Sequence, residues 1–243
     1  MRMLTFAKRN FKEIVRDPLN LSFLFGFPVV LLLLLSAIQA NIPVSLFEIE
    51  HLSPGIAVFG LSFMTLFSAT LIAKDRQSSF MHRLYTTPMT SVDFILGYTL
   101  PMIPIAVAEG VATYIFAVIL GLEISVNILL GILFLIPTAL LYIGIGLLCG
   151  SLFNDKQVGG ICGALLTNLS AWLSGIWFDL DLVGGAFKSI AYALPFVHAV
   201  EAERAVISGS ISDALMHTLW VMGYATAILV VAVFVFLRQM KKK

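Results

Sequence analysis

Six runs of about 20 apolar residues constrain the fold of this 243-residue chain more than any other feature. They lie at roughly 21–40, 54–73, 94–120, 126–149, 158–178 and 213–237. A helix of about 20 such residues crosses a hydrocarbon core about 30 Å thick. Hydrophobic residues make up 59% of the chain and charged residues 12%, which lies outside the range of soluble domains. The sequence therefore predicts an all-α, polytopic membrane protein with six transmembrane helices.

The basic residues are unevenly distributed among the segments that connect these runs. All but two of the 15 lysines and arginines precede the first run, follow the last, or lie between runs two and three or four and five. The two exceptions are Lys188 and Arg204. Because short loops rich in Lys and Arg stay on the cytoplasmic side, we expect a multi-pass protein of the cell membrane with both termini in the cytoplasm.

Residues 1–17 predict an amphipathic helix in the membrane interface. Its basic residues occupy one face, and its apolar residues recur at helical spacing: Leu4, Ala7, Phe11, Ile14 and Val15. The cations of such a helix lie near anionic headgroups. Asp17-Pro18 ends the helix. The segment is either a functional elbow or a topology anchor.

Segment 74–90, between the second and third runs, predicts a short cytoplasmic helix. Its apolar stripe is flanked by basic residues and consists of Phe80, Met81, Leu84 and Tyr85. Pro88 ends this helix, and a capping box from Thr90 to Asp93 begins the next one. The helix either docks on a partner outside the membrane or lies on the lipid surface as a linker.

Segment 179–212, before the last run, is too short and too interrupted to cross the membrane. It contains an apolar stretch broken by Pro195, and then His198, Glu201 and Arg204. We expect one or two helices that dip into the outer leaflet as a re-entrant segment. His198 and Glu201 lie three residues apart, but metal and protease sites need more converging ligands, so no catalytic or metal site is expected.

Glu109 is the only acid well inside an apolar run. A charge at this depth costs roughly 2.5–3.5 kcal/mol, so the side chain is expected to face the bundle interior or a wet cavity. It serves either a pathway, by binding cargo or relaying protons, or an interhelical hydrogen bond. With no cation in the apolar runs, we expect it to be neutral or to face water.

No phosphate-binding loop of the form G-x-x-x-x-G-K-[ST] occurs in the chain, and the cytoplasmic segments are too short for a nucleotide-binding fold. If ATP drives transport here, another polypeptide hydrolyses it. We therefore expect a single transmembrane permease domain over residues 1–243 that is not an enzyme and binds no cofactor. Cys149 and Cys162 match no metal spacing and are interpreted as packing residues.

These features together resemble the ABC-2 type permease family, the membrane subunits of bacterial and archaeal ABC exporters of the drug- and antibiotic-resistance kind. The resemblance covers the whole chain and rests on the basic interfacial helix, the six spans and a set of short motifs. These motifs are Asp75-Arg76, Leu84, Thr87-Pro88, Leu96-Gly97, Leu194-Pro195 and Arg204. The family usually has Glu at position 75 and Gly at position 79, where this chain has Asp75 and Ser79.

By this resemblance, segment 74–87 is a coupling helix that docks in a groove of a separate ABC ATPase subunit, which binds ATP and Mg²⁺. The implied contact residues are Asp75, Arg76, Phe80, Met81, Arg83, Leu84, Tyr85 and Pro88, with a smaller second contact at Asn154-Asp155-Lys156. Two permease copies, as a homodimer or with a sister subunit, form the pathway for efflux. Nucleic acid is not an expected partner.

Two other functions remain open from the sequence. One is a stand-alone secondary transporter or channel that uses Glu109 for ion coupling, although inverted repeats are not visible. The other is an intramembrane enzyme built on His198 and Glu201.

Overall fold

The computed structural model describes residues 2–78 and 89–240, which are almost entirely helical and contain no strand. The first half comprises α1 (Arg2–Val15), α2 (Pro18–Leu21), a π-helical segment (Ser22–Gly26), α3 (Phe27–Gln39), α4 (Ile49–Gln77), α5 (Ser91–Thr99) and α6 (Met102–Ile119). The second half comprises α7 (Val126–Leu152), α8 (Asp155–Val158), a second π-helical segment (Gly159–Leu166), α9 (Thr167–Trp172), α10 (Leu180–Val183), α11 (Gly185–Ala193), α12 (Pro195–Ile207) and α13 (Ile211–Met240).

Five helical stretches of the described chain are long and apolar enough to cross a membrane. They are Pro18–Gln39, Ile49–Gln77, Val92–Ile119, Val126–Leu152 and Ile211–Arg238. Each coincides with a predicted run and extends beyond it at one or both ends. The prediction of an all-α, polytopic membrane protein is confirmed.

The fifth predicted span differs from the other five. The helical chain runs without interruption from Asp155 to Trp172, through α8, the second π-helical segment and α9, and it ends six residues before the predicted run does. Together these elements extend about 27 Å at 1.5 Å per residue. The segment Asp155–Trp172, which we call the fifth crossing, is therefore shorter than predicted.

The fifth crossing still carries the chain from one end of the bundle to the other. It begins beside Arg76 at the last turn of α4, in a cleft that Asn154 and Gln157 also line. After it, the side chain of Ile176 faces Gly55 and the ring of Trp177 lies 5.6 Å from that of Phe59, both near the start of α4. The chain thus passes six times between the two ends, as the apolar runs predict.

Helix α1 and the last turns of α13 lie at the same end of the bundle. Arg9 of α1 pairs with Asp75 of α4, and Phe236 of α13 lies 5.8 Å from Phe94 of α5, measured between ring centroids. We call this the terminal end and the other, which holds the start of α4 and the loop before α7, the opposite end. Lys188 and Arg204 lie at the opposite end, because Arg204 donates to the backbone oxygens of His51 and Gly175.

α4 runs through the centre of the bundle, and α7 packs against it at two glycines. A Cβ added to Gly146 would lie 2.5 Å from the backbone oxygen of Thr65, and one added to Gly150 would lie 2.6 Å from that of Ala69. The two glycines have small-xxx-small spacing, which lets two helices approach closely. Gly159 and Gly163 of the fifth crossing have the same spacing, but only Gly163 lies close to α4. A Cβ added to Gly163 would lie 3.2 Å from the side chain of Leu66, whereas nothing lies within 4 Å of a Cβ at Gly159.

Helix α1 divides its predicted apolar face between two environments. Ala7 and Ile14 are buried, together with Phe6, whose ring lies 5.8 Å from that of Phe94. The remaining apolar side chains of the predicted face stay exposed and form a second stripe: Leu4, Phe11 and Val15. One stripe therefore holds α1 on the bundle, and the other is left for lipid.

The re-entrant segment contains three helices, α10 to α12, where one or two were predicted. Pro195 is the first residue of α12, a position at which its missing N–H costs nothing. Eight of the 13 residues of α12 are buried. This helix is part of the core and not a peripheral helix in the outer leaflet.

Candidate functional site

Asp75 lies at the centre of a polar cluster at the terminal end. Its Oδ2 atom accepts hydrogen bonds from Nη1 of Arg9 at 2.7 Å and from the hydroxyl of Tyr98 at 2.9 Å. Asn10 adds a bond from its side-chain nitrogen to the backbone oxygen of Gly97 at 2.8 Å. Asp75 is 4% exposed. Its carboxylate therefore joins α1, α4 and α5 inside the bundle. The family resemblance implied that Asp75 contacts the ATPase, but this carboxylate is not exposed to a partner.

Arg76 connects the end of α4 to the turn after α7. Its Nη1 atom donates to the backbone oxygens of Gly150 at 2.7 Å and Phe153 at 3.3 Å. Carbonyl groups at a helix C-terminus have no partner within the helix, so a guanidinium group is well suited to them. Arg76 thereby joins the two segments that were predicted to contact an ATPase.

The second predicted contact begins α8. Asn154 caps this short helix through a reciprocal pair of hydrogen bonds with Gln157. Lys156 is exposed and Asp155 is half-buried. A cleft of about 250 Å³ separates this turn from the end of α4. Lys156 is therefore available to a partner, next to the position where the chain leaves α4.

The remaining predicted contacts lie outside the described residues: Phe80, Met81, Arg83, Leu84, Tyr85 and Pro88. The described chain on either side of them is ordered by local hydrogen bonds. Ser78 donates from its backbone nitrogen to the oxygen of Asp75, and Thr90 and Asp93 form the predicted capping box. The docking role of the segment between them stays a prediction.

Glu109 is buried in α6, where it packs against the backbone of α4. Thr113, one turn further on, donates a hydrogen bond to its Oε1 atom at 3.0 Å, and Oε2 has no hydrogen-bond partner in the described structure. A Cβ added to Gly60 of α4 would lie 2.0 Å from Oε1. The side chain is 1% exposed, so it does not face a wet cavity. Among the described residues its hydrogen-bond partner is Thr113 of its own helix, so neither of the two settings considered, a wet cavity or an interhelical hydrogen bond, is observed.

A second buried acid, Glu203, was not identified from the sequence. Its Oε1 atom accepts a hydrogen bond of 2.6 Å from the hydroxyl of Tyr114, and it packs against Gly131, so α6, α7 and α12 meet at this carboxyl group. Burial raises the pKa of Glu203 to about 8, against the opposing effect of the Tyr114 hydrogen bond. The available signal was its position on the same helical face as Val200 and Ile207.

Arg204 does not pair with Glu203, the acid next to it in the sequence. It forms an ion pair of 3.0 Å with Glu201, one turn earlier in α12. Its other nitrogens donate to backbone oxygens, as described above. Arg204 thus holds α12 against the start of α4, which gives this family-pattern residue a structural role at the opposite end.

His198 joins three helices at the opposite end. Its Nε2 atom lies 3.0 Å from the backbone oxygen of Tyr192, which can only accept, so Nε2 carries the proton. Its Nδ1 atom therefore accepts from Nδ1 of His217 on α13, at 2.8 Å. Burial lowers the pKa of His198, and the nearby His217 lowers it further. In this arrangement the histidine connects α11, α12 and α13.

The histidine and acid that suggested an intramembrane enzyme do not converge. Glu201 is engaged with Arg204, while His198 faces His217 and the ring of Trp220, which lies 5.1 Å away. Within the described residues, no group of three His, Cys, Asp or Glu side chains is placed to hold a metal ion. The geometry does not support the enzymatic alternative.

Comparison with known families identifies the chain. The family model described as ABC-2 type transporter matches residues 1–208. The chain belongs to the ABC-2 type transporter family. A search of curated proteins finds no match. Family membership makes this multi-pass membrane protein a component of an ABC transporter, on the permease side.

For an ABC-2 permease, the predicted residues fall into separate groups. Arg76 and the turn at Asp155 and Lys156 come together at the terminal end, beside the buried Asp75. Glu109 lies apart from them, inside the bundle. The sequence motif thus contributes a structural support at the terminal end, formed by the buried Asp75 and the half-buried Arg76.

Proposed function

We propose that this chain is the permease subunit of an ATP-driven ABC exporter, coupled to a separate ATPase subunit that binds ATP and Mg²⁺. The observation that carries this proposal is the junction made by Arg76. It ties the last turn of α4, which precedes residues 79–88 in the sequence, to the turn that holds Lys156, so both expected contacts adjoin the same end of the bundle. A single docking subunit could contact both.

The same junction gives a route for motion from a docked ATPase into the membrane. α4 is the most buried of the spans, and α7 packs against it through Gly146 and Gly150. Two helices in such close backbone contact move together, because packed cores are stiff. A displacement at residues 79–88 would therefore tilt α4 and α7 as a pair.

The charge distribution supports a cytoplasmic position for the terminal end, where ATP is available. In the loops at the opposite end, Lys188 and Arg204 are the only lysine or arginine residues, and both lie in segment 179–212. Arg204 is neutralised by Glu201, and Lys188 pairs with Asp181. This asymmetry follows the positive-inside rule.

The pathway is proposed to lie between two permease copies, in a homodimer or with a sister subunit. The centre of the described bundle is filled by large side chains on α4, among them Ile56, Leu61 and Met64. A route between copies would use the exposed apolar surfaces of the spans. Such a route suits hydrophobic or amphipathic cargo, with export as the direction that the family resemblance implies.

The test removes the apolar anchors of the segment expected to dock. Phe80→Ala with Leu84→Ala is expected to abolish copurification of the ATPase and substrate export, while the permease still inserts and folds. Two interface anchors contribute about 2 kcal/mol each or more. The ATPase would be identified in pull-downs from native membranes by its phosphate-binding loop.

The matched control is Leu215→Ala with Leu219→Ala, which has the same spacing on the exposed face of α13. This variant is expected to retain the ATPase. Normal ATPase capture and export by the Phe80/Leu84 variant would refute the proposed coupling.

A further inference from the structure

We propose that a cleft between α1 and α4 at the terminal end binds the phosphate headgroup of one anionic phospholipid. The cleft has a volume of about 840 Å³ and opens to the surface. Its lining combines cations with an apolar wall: Lys8, Lys12, Arg16 and Lys74 with Phe67 and Leu71. This site is separate from the junction at Arg76 and does not depend on an ATPase partner.

The cleft has two helical walls. On α1, Lys8, Lys12 and Arg16 recur every four residues and so share one side of the helix. On α4, Phe67, Leu71 and Lys74 recur at the same helical spacing. Asp17, Pro18 and Asn20 line the end of the cleft nearest the first span, which we call its base. The cations of two different helices therefore face one space.

The acids that line the cleft already have hydrogen-bond or ion-pair partners, whereas most of its cations do not have one among the described residues. Glu13 forms an ion pair with Arg9 at 3.0 Å. Asp17 accepts from both nitrogens of Asn20, at 3.2 and 2.8 Å. In contrast, the side chains of Lys8, Lys12, Arg16 and Lys74 have no hydrogen bond or ion pair within the described residues. The cleft therefore has a positive charge that its own acids do not balance.

Apolar surface on both sides of the cations favours a lipid over a soluble anion. The exposed stripe of Leu4, Phe11 and Val15 lies directly beside the cationic side of α1. Just beyond the base of the cleft, Leu19 is 68% exposed and Phe23 is 46% exposed. A phospholipid meets both requirements, since its phosphate fits the cations and its acyl chains cover the apolar residues. Free phosphate uses only the first.

The experiment measures lipid binding to the detergent-purified full chain by native mass spectrometry and thermal unfolding. Phosphatidylglycerol is expected to bind and stabilise the protein, and phosphatidylcholine and inorganic phosphate are not. Each cation near a membrane surface changes lipid affinity about fivefold. The variant Lys8→Ala, Lys12→Ala, Lys74→Ala is therefore expected to bind phosphatidylglycerol on the order of 100-fold more weakly.

The control removes three cations elsewhere, Lys156→Ala, Lys188→Ala and Arg238→Ala, and is expected to bind phosphatidylglycerol as the unmodified protein does. If the first variant does not fold, Lys12→Gln alone is expected to weaken binding about fivefold. Three outcomes would overturn the proposal. They are equal binding of both lipids, equal stabilisation by inorganic phosphate, and a cleft variant that loses the ATPase but keeps phosphatidylglycerol.

Discussion

A single carboxylate, that of Asp75, holds three helices together at the terminal end. Its two hydrogen-bond donors come from α1 and α5, whereas Asp75 itself lies in the last turn of α4. The neighbouring Glu13 binds Arg9 from an exposed position, with 51% of its side chain accessible. Arg9 thus has one buried and one exposed acidic partner, which allows their contributions to be compared.

Asp75→Asn is expected to lower the free energy of unfolding by about 2 kcal/mol, because it weakens a charged hydrogen bond inside the bundle. Partial exposure of Arg9, 33% for its side chain, keeps the loss below that of a fully buried ion pair. Glu13→Gln, the control, is expected to cost less than about 1 kcal/mol. Thermal unfolding in detergent measures both. Equal losses in the two variants would show that burial of Asp75 is unimportant.

Glu109→Gln is expected to leave unfolding, export and its pH dependence unchanged. The amide is isosteric and keeps the acceptor for Thr113, and the site is closed by Gly60. Export of a cationic and a neutral dye, measured across pH, tests this. A change in substrate range or pH profile with normal stability would instead place Glu109 in the pathway. Glu123→Gln, at an acid of the loop before α7, serves as the control.

At the level of residues, the sequence indicates which polar side chains have a special position better than it predicts their hydrogen-bond partners. It identified Asp75, but the donors Arg9 and Tyr98 are 66 and 23 positions away, and their approach depends on tertiary packing. It identified Arg204 but not the adjacent Glu203, which points in a different direction from the same helix, into the core. The burial of Glu109 followed from its depth, and its contact with Gly60 did not.

Among the elements, the contact between α4 and α7 is the closest that the glycines reveal. Gly146→Ala is expected to destabilise the protein by about 1–3 kcal/mol, since its Cβ would overlap Ser68 and the oxygen of Thr65. The control is Gly160→Ala in the fifth crossing, where nothing lies within 4 Å of the added atom. Helix propensity predicts a neutral or slightly stabilising effect there. Thermal unfolding that ranked the two variants in the reverse order would contradict the packing.

Hydropathy predicted the elements well where a helix is continuous. All six runs correspond to passages of the chain between the two ends. The break between Thr99 and Met102 follows from Pro101, which lacks an N–H and clashes with the preceding turn. The π-helical segment in the fifth crossing had no equivalent signal. Gly159, Gly160 and Gly163 weaken an α-helix, but they do not indicate π geometry.

For the whole molecule, the positions of α1 and the last turns of α13 at one end allow a direct test of orientation. In a variant with Cys149 and Cys162 replaced by Ala, cysteines placed at Glu48 and Lys188 are expected to react with an impermeant reagent added outside the cell. A cysteine at Lys156 is expected to react only after the membrane is opened. All three positions are accessible in the structure. External labelling at Lys156 would reverse the proposed orientation.

The short fifth crossing also means that the hydrophobic thickness of the protein differs from one side to another. α4 and α7, with 29 and 27 residues, extend about 40 Å or more, whereas the fifth crossing extends about 27 Å. Lipids around a short passage must thin locally to avoid exposing acyl chains to water. The bilayer would therefore be thinner only on the side of the protein that holds the fifth crossing. We therefore expect the protein to be sensitive to acyl-chain length. In a thicker membrane, the hydrophobic mismatch would affect the fifth crossing before it affected the longer central helices.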